Sequence, residues 1–79
     1  MRKILIRGLD AAVNETAIRS GLARFGSVVR VVIERDQASV MPIALVEMDI
    51  SDMAAEYLVF RLNSLWRKDS EARAELMDG

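Results

Sequence analysis

The sequence predicts an α+β fold of the ferredoxin-like kind, a β-α-β-β-α-β sandwich with a four-stranded antiparallel sheet and two helices on one face. Three observations predict this fold. Four short segments have strand patterns, and two longer segments between them repeat apolar residues at helical spacing. The chain has 79 residues, of which 52% are apolar, and this fits one folded domain over residues 1–79 rather than a disordered chain.

The first strand and the first helix occupy the N-terminal third of the chain. Residues 3–7 alternate between two sets of side chains, which is the period of a strand. Asn14 is a favourable N-cap for the helix that follows, and Gly26 is a favourable residue to end it. Between these two residues the apolar positions fall at helical spacing: Ile18, Gly21, Leu22 and Phe25.

Two further strands follow without a helix between them. The β-branched segment 28–34 predicts the second strand, and the polar segment 35–39 predicts the loop after it. Residues 41–48 predict the third strand. Because Pro42 has no N–H to donate, it indicates the start of that strand or a position beside a bulge.

The second helix and a short last strand complete the order. Ser51 is a favourable N-cap, and residues 63–64 are expected to end the helix. Its predicted buried stripe consists of Ala55, Leu58, Val59 and Leu62. Residues 72–77 alternate and predict a fourth strand, although residues 71–76 are also good helix formers. Whether residues 67–72 form loop or helix stays open.

The composition excludes most kinds of catalytic chemistry. The chain has no Cys and no His, so thiolate nucleophiles, thiolate metal sites and the commonest general base are absent. We therefore expect no enzyme activity, no metal site and no cofactor. The apolar stretch near the N-terminus is too short for a signal peptide, and no uncharged run approaches the roughly 20 residues that span a bilayer. We expect a cytoplasmic protein without a membrane partner.

Four segments resemble those of the RNA recognition motif domain family. Residues 4–9 (Ile-Leu-Ile-Arg-Gly-Leu) are similar to its first-strand hexamer, and residues 41–48 (Met-Pro-Ile-Ala-Leu-Val-Glu-Met) occupy its third-strand octamer. Residues 24–28 (Arg-Phe-Gly-Ser-Val) resemble its helix-to-strand junction, and residues 61–64 (Arg-Leu-Asn-Ser) resemble the end of its second helix. The resemblance covers about residues 3–77. It implies that single-stranded RNA binds to the open face of the sheet.

The aromatic positions of both strand motifs hold aliphatic residues in this chain. Leu5 stands at the aromatic position of the hexamer, and the octamer replaces its three rings with Ile43, Leu45 and Met48. Because stacking on a ring contributes roughly 1–3 kcal/mol per base, this departure predicts weak RNA binding. Gly21 also stands where the family usually has Leu. It would allow the helix to approach the sheet closely, or it would leave the core partly filled.

Strand alternation predicts an aliphatic centre with basic neighbours on the open face of the sheet. The basic side chains would contact phosphates, and the aliphatic ones would support bases. The acidic residues expected on the same face would repel phosphate or pair with the arginines: Glu34, Glu47 and Glu75. Residues 1–40 have a net charge of +3 and residues 41–79 a net charge of -4. The candidate nucleic-acid-binding residues are Lys3, Leu5, Arg7, Arg30, Ile43, Leu45 and Arg73.

A second candidate surface lies at the second helix. The helical wheel places several large apolar side chains opposite its buried stripe, and a tryptophan follows. Such residues are enriched in the cores of protein interfaces, although an exposed ring and a tryptophan folded onto the core would explain the same pattern. The candidate interface residues are Met53, Tyr57, Phe60 and Trp66. The alternative function is therefore a protein-binding or homodimeric module that uses this helix or the aliphatic sheet face.

Overall fold

The structure, a computed structural model, describes residues 1–35 and 41–77. It has the predicted β-α-β-β-α-β order and confirms the ferredoxin-like fold class. The elements are β1 (Arg2–Arg7), α1 (Glu15–Leu22), β2 (Ser27–Glu34), β3 (Ile43–Asp49), α2 (Asp52–Trp66) and β4 (Arg73–Met77). The predicted loop at residues 35–39 lies outside the described residues from position 36 onward.

The four strands form one antiparallel sheet in the order β2-β3-β1-β4. Both helices pack on the same face, because apolar side chains of α1 and α2 share one core with alternate residues of the strands. The largest fully buried side chains in that core are Ile4, Met48, Leu58 and Val46. The opposite face of the sheet has no helix over it among the described elements, and we call it the open face.

Both helices begin where the sequence predicts. The side chain of Asn14 accepts a hydrogen bond from the N–H of Ala17 at 2.8 Å, and Ser51 accepts one from the N–H of Ala54 at 3.1 Å. Each cap satisfies one of the N–H groups that the first turn of a helix leaves without a partner. Gly26 has φ +152°, where an added Cβ would lie 2.3 Å from the side chain of Ile50.

Some predicted boundaries differ from the structure. Helix α2 continues to Trp66 instead of ending at residues 63–64, because the Asn63 side chain binds strand β4 and does not cap the helix. Strand β3 begins at Ile43, since Pro42 has no N–H for the sheet. Residues 67–69 form a turn, and the last strand is confirmed as β4. In the described part of the chain, no helix is long and apolar enough to cross a membrane.

Candidate nucleic-acid interface

The centre of the open face is a row of aliphatic side chains. The register places Val32 opposite Leu45, and Leu45 opposite Leu5. Glu75 of β4 is the fourth member of this row, opposite Leu5. Ile43 lies one position along the same face from Leu45, with 37% of its surface exposed. The sheet therefore brings three predicted sites, Leu5, Ile43 and Leu45, into one apolar patch.

Three other octamer residues point the other way. Ala44, Val46 and Met48 are buried in the core beneath the sheet, on the side of the helices. Met48, which replaces an aromatic residue of the family's octamer, is therefore a packing residue in this chain. Of the four replaced aromatic positions, Leu5, Ile43 and Leu45 are therefore the ones that change the chemistry of the open face.

Two acidic residues of the open face pair with its arginines. Glu75 accepts a hydrogen bond from Arg7, whose Nη2 lies 2.7 Å from the Glu75 Oε1. On the next row, Glu47 lies between Lys3 and Arg30, and its Oε1 is 4.0 Å from the Arg30 Nη1. All four paired side chains keep part of their surface exposed, so water and salt screen both pairs. Among the described residues, Lys3, Arg7 and Arg30 thus border the aliphatic row, and the two arginines form ion pairs with carboxylates.

Arg73 lies on the open-face side of β4, directly opposite Arg7. Its guanidinium reaches back toward the end of α2, where Nη1 donates to the carbonyl oxygens of Ala72 at 2.6 Å, Ser70 at 3.0 Å and Trp66 at 3.4 Å. These bonds satisfy carbonyls at the C-terminal end of the helix and in the following turn. Arg73 therefore stabilises the connection between α2 and β4, a role that the sequence did not indicate.

A bulge in β2 decides which side chains of this strand reach the open face. The register shifts between Val28 and Arg30, so that Val29 is an extra residue. Without the shift, Val28 and Arg30 would lie on the same face; with it, Val28 packs against the core while Arg30 faces outward. Arg19 of α1 donates to the carbonyls of Val28 and Val29 at 3.1 and 3.5 Å, which satisfies groups on this sheet edge.

The four candidate interface residues do not form one surface. Met53, Tyr57 and Phe60 are 80%, 57% and 66% exposed along the outer side of α2. Trp66 is half-buried and packs against the core. It also borders an apolar depression of about 180 Å³ between α1 and α2.

Gly21 lies at the rim of the same depression and is exposed. Apart from its chain neighbours and the backbone of its own helix, a Cβ added to Gly21 would have no heavy atom of the described residues within 4 Å, so this glycine does not serve a close approach between helix and sheet. The partly filled alternative agrees with the structure. The depression exists because Gly21 and Ala17 are too small to cover the apolar side chains of Leu22 and Trp66.

Comparison with known proteins identifies the fold through structure and not through sequence. No family model matches the chain, and no curated protein matches it. Among solved structures, the chain is similar to "Pes4 RRM3", with 14% identity, a TM-score of 0.81, and coverage of 100% of this chain and 94% of that one.

Some of the similar structures are named as complexes with an oligonucleotide, among them the following two. The "MEC-8 C-terminal RRM domain bound to AGCACA" has 19% identity and a TM-score of 0.76, with coverage of 99% of this chain and 92% of that chain. The Plasmodium falciparum "SR1-RRM1 in complex with ACAUCA RNA" has 13% identity and a TM-score of 0.72, with coverage of 95% and 82%. The chain therefore has the fold of RNA recognition motif domains.

Proposed function

We propose that this protein binds single-stranded RNA through the open face of its sheet. The observation that supports the proposal most directly is the aliphatic patch of Leu5, Ile43 and Leu45, which lies on the side away from the helices. Unpaired bases would rest on this patch by van der Waals contact, and Lys3, Arg7 and Arg30 would contact phosphates. The two oligonucleotide-bound structures of the same fold support this assignment.

Two features of the patch predict that binding is weak. Aliphatic side chains lack the flat π-surface on which bases stack, which contributes roughly 1–3 kcal/mol per base elsewhere. In addition, Arg7 and Arg30 each lie beside a glutamate, and RNA must compete with that carboxylate for the cation. Arg73 contributes less to RNA binding on the open face than its position on β4 indicates, because its Nη1 is already bound to three carbonyl oxygens.

The test adds a ring to the patch and measures affinity for RNA. Fluorescence anisotropy with a labelled single-stranded oligonucleotide at low salt is expected to show binding by the unchanged chain, and weaker binding by Arg30→Ala. Ile43→Phe is expected to tighten binding by about fivefold or more, because it restores one stacking platform at an exposed position.

The matched control for this gain is Leu65→Phe. Leu65 is also exposed, but it lies on α2, behind the sheet. The control adds the same ring without touching the patch, so its affinity is expected to equal that of the unchanged chain. An equal gain from both variants, or no binding by any of them at low salt, contradicts the assignment of the open face to RNA.

The second candidate function is contact with another copy of the chain through the same patch or through α2. The pairs Arg7–Glu75 and Arg30–Glu47 favour it, because they neutralise cations that RNA would need. Light scattering distinguishes the two functions. A stable dimer that persists without RNA, and dissociates when Ile43 is changed to Asp, supports the contact between copies. If Phe60→Ser dissociates the dimer instead, the contact lies at α2.

A further inference from the structure

A second depression, separate from the open face, lies where the C-terminal half of α2 meets strand β4. It has a volume of about 410 Å³ and is lined by Phe60, Asn63, Ser64, Arg67 and Arg73. We call it the edge pocket, because β4 is the last strand of the sheet on this side. Among the described residues that line it, none is acidic and two are arginines. A ligand in this pocket would therefore meet two positive charges and an aromatic ring.

The hydrogen bonds within the edge pocket show which groups remain for a ligand. The Asn63 amide is bonded to the main chain of Ala74 through both its oxygen and its nitrogen, at 2.8 and 2.9 Å. The Ser64 hydroxyl donates to the carbonyl of Phe60 at 2.8 Å. The donors that remain among the described residues of the pocket include the Arg67 guanidinium and the Nε and Nη2 groups of Arg73, whose Nη1 is bonded to main-chain carbonyls. Because a guanidinium only donates, the ligand that satisfies it is an acceptor and, with two of them present, an anion.

The two arginines differ in how firmly they are held. The bonds from the Arg73 Nη1 to three main-chain carbonyls fix that guanidinium in place before any ligand arrives. Arg67 forms no ion pair with another of the described residues. The pocket thus combines one cation held by hydrogen bonds with one that has no ion pair among the described residues. Phe60, with 66% of its surface exposed, stands two helical turns before Arg67.

Arg73 belongs both to the edge pocket and to the residues of β4 on the open-face side. Arg73 lies opposite Arg7 in the register of β1 and β4, and its guanidinium is turned toward the end of α2 while Arg7 is bonded to Glu75. A strand of RNA that leaves the aliphatic patch at this end would cross Arg7 and Arg73 and then reach Arg67 and Phe60.

We propose that the edge pocket is a nucleotide subsite for single-stranded RNA that extends beyond the open face. A phosphate binds between Arg67 and Arg73, and the attached base stacks on the Phe60 ring. This inference rests on the proposed RNA binding by the sheet. The excess of positive charge in the pocket favours a polyanion over an apolar protein surface. The site also accounts for a large exposed ring beside two cations.

The test compares a short and a long single-stranded RNA, of four and twelve nucleotides, by fluorescence anisotropy with the full chain. Phe60→Ala is expected to weaken binding of the long RNA about fivefold or more and to leave the short RNA unchanged. Arg67→Gln is expected to lower the slope of log affinity against log salt for the long RNA by about 0.7, the loss of one phosphate contact. Arg61→Gln is the matched control, because Arg61 is an exposed arginine of α2 outside the pocket.

The outcomes separate this inference from the function on which it rests. If the unchanged chain binds neither RNA, the proposed function fails and the subsite fails with it. If the chain binds both RNAs but Phe60→Ala and Arg67→Gln behave like Arg61→Gln, the open face binds RNA and the subsite is wrong. If Phe60→Ala changes the mass of the protein in light scattering, the pocket is a contact between copies. Thermal unfolding followed by circular dichroism confirms that each variant is folded.

Discussion

Three glycines of this chain occupy turns or helices for different physical reasons. Gly8 has φ +70°, and a Cβ there would lie 2.6 Å from the carbonyl oxygen of Glu71. Gly26 has φ +152°, and a Cβ would meet the side chain of Ile50 at 2.3 Å. Both positions require glycine, because an L side chain would be strained and would also collide. Gly21 differs from both, since its backbone is helical and the space around it is open.

Gly21→Ala is therefore expected to stabilise the protein. Alanine is favoured over glycine by about 1 kcal/mol in the interior of a helix, and the added methyl group meets no described atom within 4 Å beyond its chain neighbours and its own helix backbone. Chemical denaturation of the two chains measures the change in the free energy of unfolding. Gly26→Ala is the contrasting variant and is expected to destabilise the protein. A loss of stability in Gly21→Ala would contradict this expectation and show that the added methyl group collides with its surroundings.

At the scale of elements, Asn63 joins α2 to the outer edge of the sheet. Its amide accepts from the N–H of Ala74 and donates to the carbonyl of the same residue, as a neighbouring strand would. An edge strand exposes such groups, and an unsatisfied pair is costly when it is shielded from water. Arg73 adds a second connection from β4 to the last turn of the helix. Strand β4 is thus held by the helix as well as by β1.

Asn63→Ala is expected to destabilise the protein by about 1–3 kcal/mol, because it leaves two main-chain groups of Ala74 without partners. Hydrogen exchange is expected to show faster exchange at Ala74 and its neighbours in β4. Ser64→Ala is the matched control, since the exposed Ser64 hydroxyl only bonds a carbonyl of its own helix. Equal losses from the two variants would contradict a specific connection between α2 and β4.

Element order and face assignment could be predicted from the sequence because both depend on local periodicity. Strand alternation alone placed Leu5 and Leu45 on the open face, where the register sets them opposite each other. The end of α2 could not be predicted in this way. Asn63 is typical of a helix end, but here it bonds β4, a partner that lies 11 residues away and exists only once the chain has folded.

The site was also predictable only in part. The positions of the charges follow from alternation, but their partners depend on side-chain reach across strands. Glu75 bonds Arg7 across the sheet, and Arg73 turns back to a carbonyl of the segment that connects α2 to β4. The bulge at Val29 is a further case, because no local pattern indicates where the ladder gains a residue. Pairing between distant segments decides each of these features.

At the scale of the whole molecule, the net charge of -1 hides an uneven distribution. The open face carries Lys3, Arg7 and Arg30 beside an aliphatic patch, while Glu47 and Glu75 lie among them. RNA binding releases counterions from phosphates, so each cation freed from a carboxylate adds to the affinity and to its dependence on salt. We therefore expect the glutamates of the open face to control whether this face binds RNA or a protein partner more tightly.

Glu75→Gln tests this balance, because it keeps the shape of the side chain and removes the charge that holds Arg7. RNA binding is expected to tighten a few-fold, on the scale of the roughly 0.2–1 kcal/mol typical of exposed ion pairs. The slope of log affinity against log salt should become steeper by about 0.7, since Arg7 then neutralises a phosphate. Glu56→Gln makes the same change in net charge on α2, behind the sheet, and is expected to have little effect. Equal gains from the two variants would show that overall charge controls binding, and weaker binding by Glu75→Gln would show that the carboxylate itself contacts the RNA.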